Sequence, residues 1–103
     1  MLQNFEDHPK TAANFVALSP ISFLKRAALV YGARPALTTG HESRTWAEVS
    51  QRCRTFSAAL QAMDIGLGDT VAVLLPNSAA LFEAHFSVPL AGAVLNTINT
   101  RLE

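Results

Sequence analysis

The chain has 103 residues, half of them hydrophobic and only 16% charged, against an average near ~25%. Eight Lys and Arg balance eight Asp and Glu, which excludes the basic stripe of a nucleic-acid binder. A single cysteine, Cys53, excludes an internal disulfide and sets no metal-ligand spacing.

This length allows one domain with a modest core. Its apolar bias has two readings: an Ala-rich compact domain, or a piece whose apolar remainder faces a partner surface. The first ten residues carry Glu6 and Asp7 and have no apolar run, so no signal peptide is read there. No window approaches ~18 uninterrupted apolar residues, so no transmembrane segment is expected. The cytoplasm is the default compartment for such a chain.

Residues 1–18 have weak periodicity and read as an irregular arm; residues 19–103 read as the body. Ser19 suits an N-cap and Pro20 the first helical position, where its missing N–H costs nothing. Phe23, Leu24, Ala27, Ala28 and Tyr31 share one helical face. Gly32 and Pro35 stop that helix. Residues 36–39 are a short strand, and the polar turn at residues 40–43 predicts a hairpin back through Arg44.

Thr45-Trp46-Ala47-Glu48 is a capping box, the clearest helix start in the chain. Val49, Cys53, Phe56, Leu60 and Met63 follow as one apolar stripe. Gly66 and Gly68 end this helix. Residues 70–75 form an apolar run expected of a strand buried on both faces, flanked by helices, with Phe56 and Leu60 facing it. Ser78 caps a helix running to about Ala91, with Pro89 loosening its last turn. Gly92 ends it, and residues 93–98 form a second apolar strand. Strand, crossover helix and strand make a βαβ unit with parallel strands, so the class is α/β.

No constellation in these elements carries chemistry by itself. Gly66-Leu67-Gly68-Asp69 enters a strand instead of leaving one, so it reads as a turn and not a phosphate cradle. His85 reads as a structural or surface histidine, Cys53 as a small buried hydrophobe and Trp46 as a packing anchor. Arg101 follows an apolar strand and the polar run of residues 96–100. Its guanidinium fork matches phosphate oxygens, and the alternative is a solvated surface arginine.

The ordered segments together resemble the opening of an AMP-forming acyl-CoA synthetase, of the adenylate-forming ligase superfamily. The resemblance runs from about Leu18 to the end. It rests on PISFLKRAALVYGARPAL, on Thr45-Trp46-x-Glu48 followed by Arg52 (with Val49 where Leu is usual), and on Gly68-Asp69-x-Val71-Ala72. Leu75-Pro76-Asn77-Ser78, Glu83-Ala84-His85-Phe86, Ala91-Gly92-Ala93-Val94-Leu95-Asn96 and Asn99-x-Arg101-Leu102 complete it. In its wording the last segment is similar to synthetases of short- or medium-chain fatty acids or aromatic acids.

The resemblance implies a parent enzyme that forms an acyl-adenylate from a carboxylic acid and ATP with Mg²⁺, then transfers the acyl group to coenzyme A. It implies that the phosphate loop and the catalytic lysine lie beyond Glu103. No catalytic or metal-binding residue is therefore carried over, and this chain alone is expected to be inactive, with no cofactor of its own. Its expected partner is the remainder of the synthetase. Arg101 becomes a candidate contact for a phosphate of coenzyme A. Two rivals stay open: a free-standing interaction module derived from the family, and an adenylating relative with another acceptor.

Overall fold

Each helix begins where a hydroxyl can satisfy an orphan amide. The computed structural model describes residues 4–102, and of Phe5 the backbone alone. In helix α1, Pro20–Val30, the Ser19 hydroxyl accepts from the Ile21 N–H at 3.3 Å. Only Leu24 of the expected face is buried, and it packs with Val49 and Cys53. Phe23 is 58% exposed, and Tyr31 is also exposed under the Arg34 guanidinium. The expected five-residue face is thus narrower than its apolar pattern, because Phe23 lies ~100° around the helix from Leu24. Before α1 there is one 3₁₀ turn, Phe5–Asp7, and the described side chains from Glu6 to Leu18 are exposed.

Strands β1, Pro35–Thr39, and β2, Glu42–Thr45, form the expected antiparallel hairpin about Gly40, whose φ is +53°. Helix α2, Trp46–Ala62, starts from the complete capping box. The Thr45 hydroxyl accepts from the Glu48 N–H at 3.2 Å, and the Glu48 carboxylate accepts from the Thr45 N–H at 2.8 Å. The Gly32 and Arg34 carbonyls accept from the next two amides, Ala47 and Trp46, each at 3.0 Å. The α1–β1 connection therefore closes the amino end of α2.

The buried face of α2 is Val49, Ser50, Cys53, Ser57 and Leu60. Phe56 is 47% exposed and Met63 is 70% exposed, contrary to the stripe expected from spacing. Alternate steps of four and three residues average 3.5, whereas the helix turns every 3.6. Small Ser50 and Ser57 take the buried positions, and the two larger residues drift to the edge of the contact.

Helix α2 ends in a Schellman motif. Asp64, at φ +61°, donates its N–H to the Gln61 carbonyl at 2.9 Å, and Ile65 donates to the Leu60 carbonyl at 3.0 Å. Strand β3, Thr70–Val73, leads to α3, Ala79–Leu90, capped by Ser78 with a bond from the Leu81 N–H at 3.3 Å. Pro89 falls in the last turn of α3. Gly92, at φ +87°, repeats the Schellman ending: it donates to the Pro89 carbonyl at 2.9 Å, and Ala93 donates to the Val88 carbonyl at 3.2 Å. Strand β4, Val94–Thr97, then pairs parallel with β3, Thr70 opposite Val94 and Val73 opposite Thr97.

The chain is α/β, and the βαβ unit is the one read from the sequence. The strand over residues 70–75 is not buried on both faces. It ends at Val73, and its side chains alternate, with Val71 and Val73 half-buried, Ala72 exposed and Leu74 beyond it 62% exposed. Among the described residues β3 has β4 as its sole strand neighbour, so one face and one edge stay bare. The second strand likewise stops at Thr97, not Ile98. The core is two clusters: Leu60, Val88, Ala91 and Ala93 with Val71 and Leu95, and Leu24, Val49 and Cys53 with Trp46, Phe82 and Phe86.

Candidate functional site

Because β3 and β4 run parallel, their carboxyl ends share one end of the sheet. In open α/β sheets that end is where ligands gather. Here it holds the turn at Pro76 and Asn77, the Ser78 cap of α3 and the polar run after β4. The ladder persists to the Ile98 N–H, which donates to the Val73 carbonyl at 2.9 Å. The Asn99 side chain then accepts from the Arg101 N–H at 2.9 Å, fixing the backbone turn from which Arg101 projects. Arg101 is exposed. A guanidinium in this place can meet a phosphate, as the sequence suggested, but no second anion-binding side chain is bonded to it among the described residues.

A second charged group was not read from the sequence. Glu83, on α3, is buried, with 10% of its side chain exposed. Arg44 of β2 donates from Nη1 to its Oε1 at 2.8 Å. Arg52 of α2 donates from Nε to both oxygens, at 2.8 and 3.1 Å. Arg44 also pairs with Glu42 through Nη2. Partial burial disfavours the charge on Arg44, yet Glu83 and Glu42 beside it raise its pKa above the ordinary value. Two cations and two anions cancel, so this is a tie between the hairpin and both helices, with no net attraction for a distant ion. The sequence signal was a lone carboxylate amid the apolar positions of α3, which requires a charged partner if buried.

Cys53 lies beside this tie, and its thiol donates to the Glu83 backbone carbonyl at 3.5 Å. Burial pushes its pKa up to about 11, the Glu83 carboxylate adds to the shift, and Arg52 opposes it. A thiol held protonated is a poor nucleophile, so Cys53 has the structural place expected for it. His85 is exposed, with Nδ1 at 2.8 Å from the Leu81 carbonyl in its own helix. That contact fits an Nδ1–H donor and provides no acid–base partner. Trp46 packs on Phe82 with ring centroids 6.5 Å apart, as the anchor expected.

The sequence pattern of the family described as AMP-binding enzyme matches residues 24–103. The chain belongs to the AMP-binding enzyme family. This family chain is 51% identical over 100 residues to an acetate–CoA ligase of Humulus lupulus, covering 97% of itself and 18% of that ligase. It is 45% identical over 98 residues to a peroxisomal trans-cinnamate:CoA ligase of Petunia hybrida, covering 95% of itself and 17% of that ligase. Among solved structures it is similar to the o-succinylbenzoate coenzyme A synthetase of Bacillus subtilis in complex with ATP and magnesium. The two share 30% identity and a TM-score of 0.73 over 79% of this chain and 22% of that one. The chain thus spans about a sixth of the length of the curated relatives it matches.

The resemblance to AMP-forming ligases read from ordered segments is borne out, and with it the α/β class. No group of three or more His, Cys, Asp or Glu side chains gathers among the described residues, and Gly66 and Gly68 lie in a turn that Asp69 closes on the Gly66 N–H at 2.8 Å. No helix among them is long and apolar enough to cross a membrane.

Proposed function

We propose that this chain is the scaffold portion of an AMP-forming acid–CoA ligase. The supporting observation is the family match over residues 24–103 together with 51% identity to a named acetate–CoA ligase. Residues 19–103 contribute to its AMP-binding domain, and residues 1–18 are an arm outside it. The whole ligase joins a short- or medium-chain fatty acid or an aromatic acid to AMP, releasing pyrophosphate from ATP with Mg²⁺. The thiol of coenzyme A then takes the acyl group and releases AMP.

Within that enzyme this chain supplies a rigid strand–helix–strand frame and one contact. Arg101, turned out of the sheet end by Asn99, pairs with a phosphate of coenzyme A. The reacting groups come from elsewhere in the ligase, so the 103-residue chain alone forms no adenylate. The cytoplasm is the proposed compartment; the peroxisomal location in the petunia relative's name supplies the rival. The test is mass-spectrometric detection of acyl-CoA formed by the longer ligase from acetate, butyrate, benzoate and cinnamate. Thioester from at least one acid supports the reading. Adenylate without thioester would assign the enzyme to another acceptor.

A further inference from the structure

Two exposed surfaces of this chain complement each other in polarity and charge. The first is the outer face of α1. Leu24 turns inward, so the far side of the helix carries Phe23, Arg26 and Val30 in one row, with Lys25 and Leu29 beside it. Phe23 is 58% exposed, Val30 53% and Leu29 86%. Among the described residues neither Lys25 nor Arg26 has an ion-pair partner.

The second surface is the arm before α1. Phe15, Val16 and Leu18 are exposed on it, and Glu6 and Asp7 lie in its 3₁₀ turn, likewise without a cation among the described residues. The arm has a set shape of its own. Asn14 accepts from the Thr11 N–H at 2.8 Å and donates to the Pro9 carbonyl at 3.1 Å, and the Lys10 ammonium sits 4.5 Å from the Phe15 ring centroid. Such order lowers the entropy lost on docking. The arm does not lie on α1 of its own copy. Side chains on both are exposed, and the molecule is 62 Å long against 34 and 31 Å across. The chain exposes 7961 Å², whereas a compact monomer of its 11.1 kDa exposes about 5,700 Å². A stable dimer buries about 800 Å² per copy, so the surplus is large enough for one.

We propose that the arm of one copy docks on the outer face of α1 of a second copy, and the reverse, across a two-fold axis. The inference stands apart from the ligase reading. Phe15, Val16 and Leu18 of one copy cover Phe23, Leu29 and Val30 of the other, and burial of these apolar groups supplies the affinity. Glu6 and Asp7 pair with Lys25 and Arg26. Exposed ion pairs are weak, so their part is to fix the register of the arm along the helix. An isologous contact makes every pair twice, so a change on either surface acts at two places.

The test is sedimentation velocity of the 103-residue chain over a concentration series, beside three variants whose fold is checked by circular dichroism. One carries Glu6→Lys and Asp7→Lys, one carries Lys25→Glu and Arg26→Glu, and the third combines all four. The four positions are exposed, so the substitutions leave the core intact. The unchanged chain should dimerise, and each double variant should raise the dimer dissociation constant at least ~tenfold. The combined variant restores opposite charges with the signs exchanged and should return to within about threefold of the unchanged chain. A monomer at every concentration up to ~100 μM overturns the proposal. So does a dimer that neither double variant weakens, which would place the contact elsewhere, such as the bare edge of β3. Weakening in both double variants without recovery in the combined one overturns it as well, because the charges then do not face each other.

Discussion

Arg101 and Cys53 show how far single residues carry function here. Arg101 stands exposed beyond β4 with its backbone fixed by Asn99. If it meets coenzyme A at a solvent-accessible phosphate, Arg101→Ala in the longer ligase should raise the KM for coenzyme A about tenfold. Acid-dependent exchange of pyrophosphate into ATP, which needs no coenzyme A, should stay within twofold. A parallel fall in both half-reactions would make the residue a strand-end support instead. Cys53 tests burial. Its thiol pKa is raised to about 11 in the fold against an ordinary 9.0. The unfolded chain therefore loses its thiol proton first as pH rises. Stability linked to this group is complete below pH 9.0 and is lost between there and about 11. Thiolate absorbance should titrate near 11 in the native chain and near 9 in denaturant; coincident curves would mean that Cys53 is solvated.

Elements were legible where the signal was local. The capping box of α2, the Ser19 and Ser78 caps, the Gly40 hairpin and the Gly92 helix ending each depend on residues within one turn of one another, and the structure uses all of them. Burial was less legible, because a stripe of apolar residues does not say which neighbour it meets. Leu60 is 6% exposed and Phe56 is half-exposed on the same helix. Leu60→Ala should therefore cost about 3 kcal/mol in urea unfolding, and Phe56→Ala only about 1 kcal/mol in this chain. Equal costs would restore the stripe read from spacing. The Glu83 tie was invisible for a further reason: its partners lie 39 and 31 residues away on other elements. Glu83→Gln keeps the shape but leaves Arg44 with Glu42 as its one carboxylate and Arg52 without the Glu83 charge, so it should cost about 2 kcal/mol. A loss under about 0.5 kcal/mol would place the tie among weak surface pairs.

At the scale of the molecule, the described residues form three α-helices, a two-stranded parallel sheet and a separate two-stranded hairpin. Its radius of gyration is 17.4 Å, against about 13 Å for a compact domain of this length. The exposed arm before α1 and the bare sheet edge both contribute. This shape explains why the family was readable and the site was not. Family membership is distributed over caps, turns and strand starts, which lie within the chain. A site for ATP, an acid and a thiol needs groups converging from several elements, and at the sheet's ligand-facing end the described residues place Arg101 beside the polar residues Asn77, Ser78 and Asn99. We propose that this chain serves a ligase as scaffold and contributes none of its reacting groups. This role is tested most directly by acid-dependent pyrophosphate release from ATP and Mg²⁺, measured on the 103-residue chain beside the longer ligase with the same panel of acids. Release is expected from the longer protein and none above the protein-free control from the chain; release by the 103-residue chain itself, or by neither, would overturn the scaffold role.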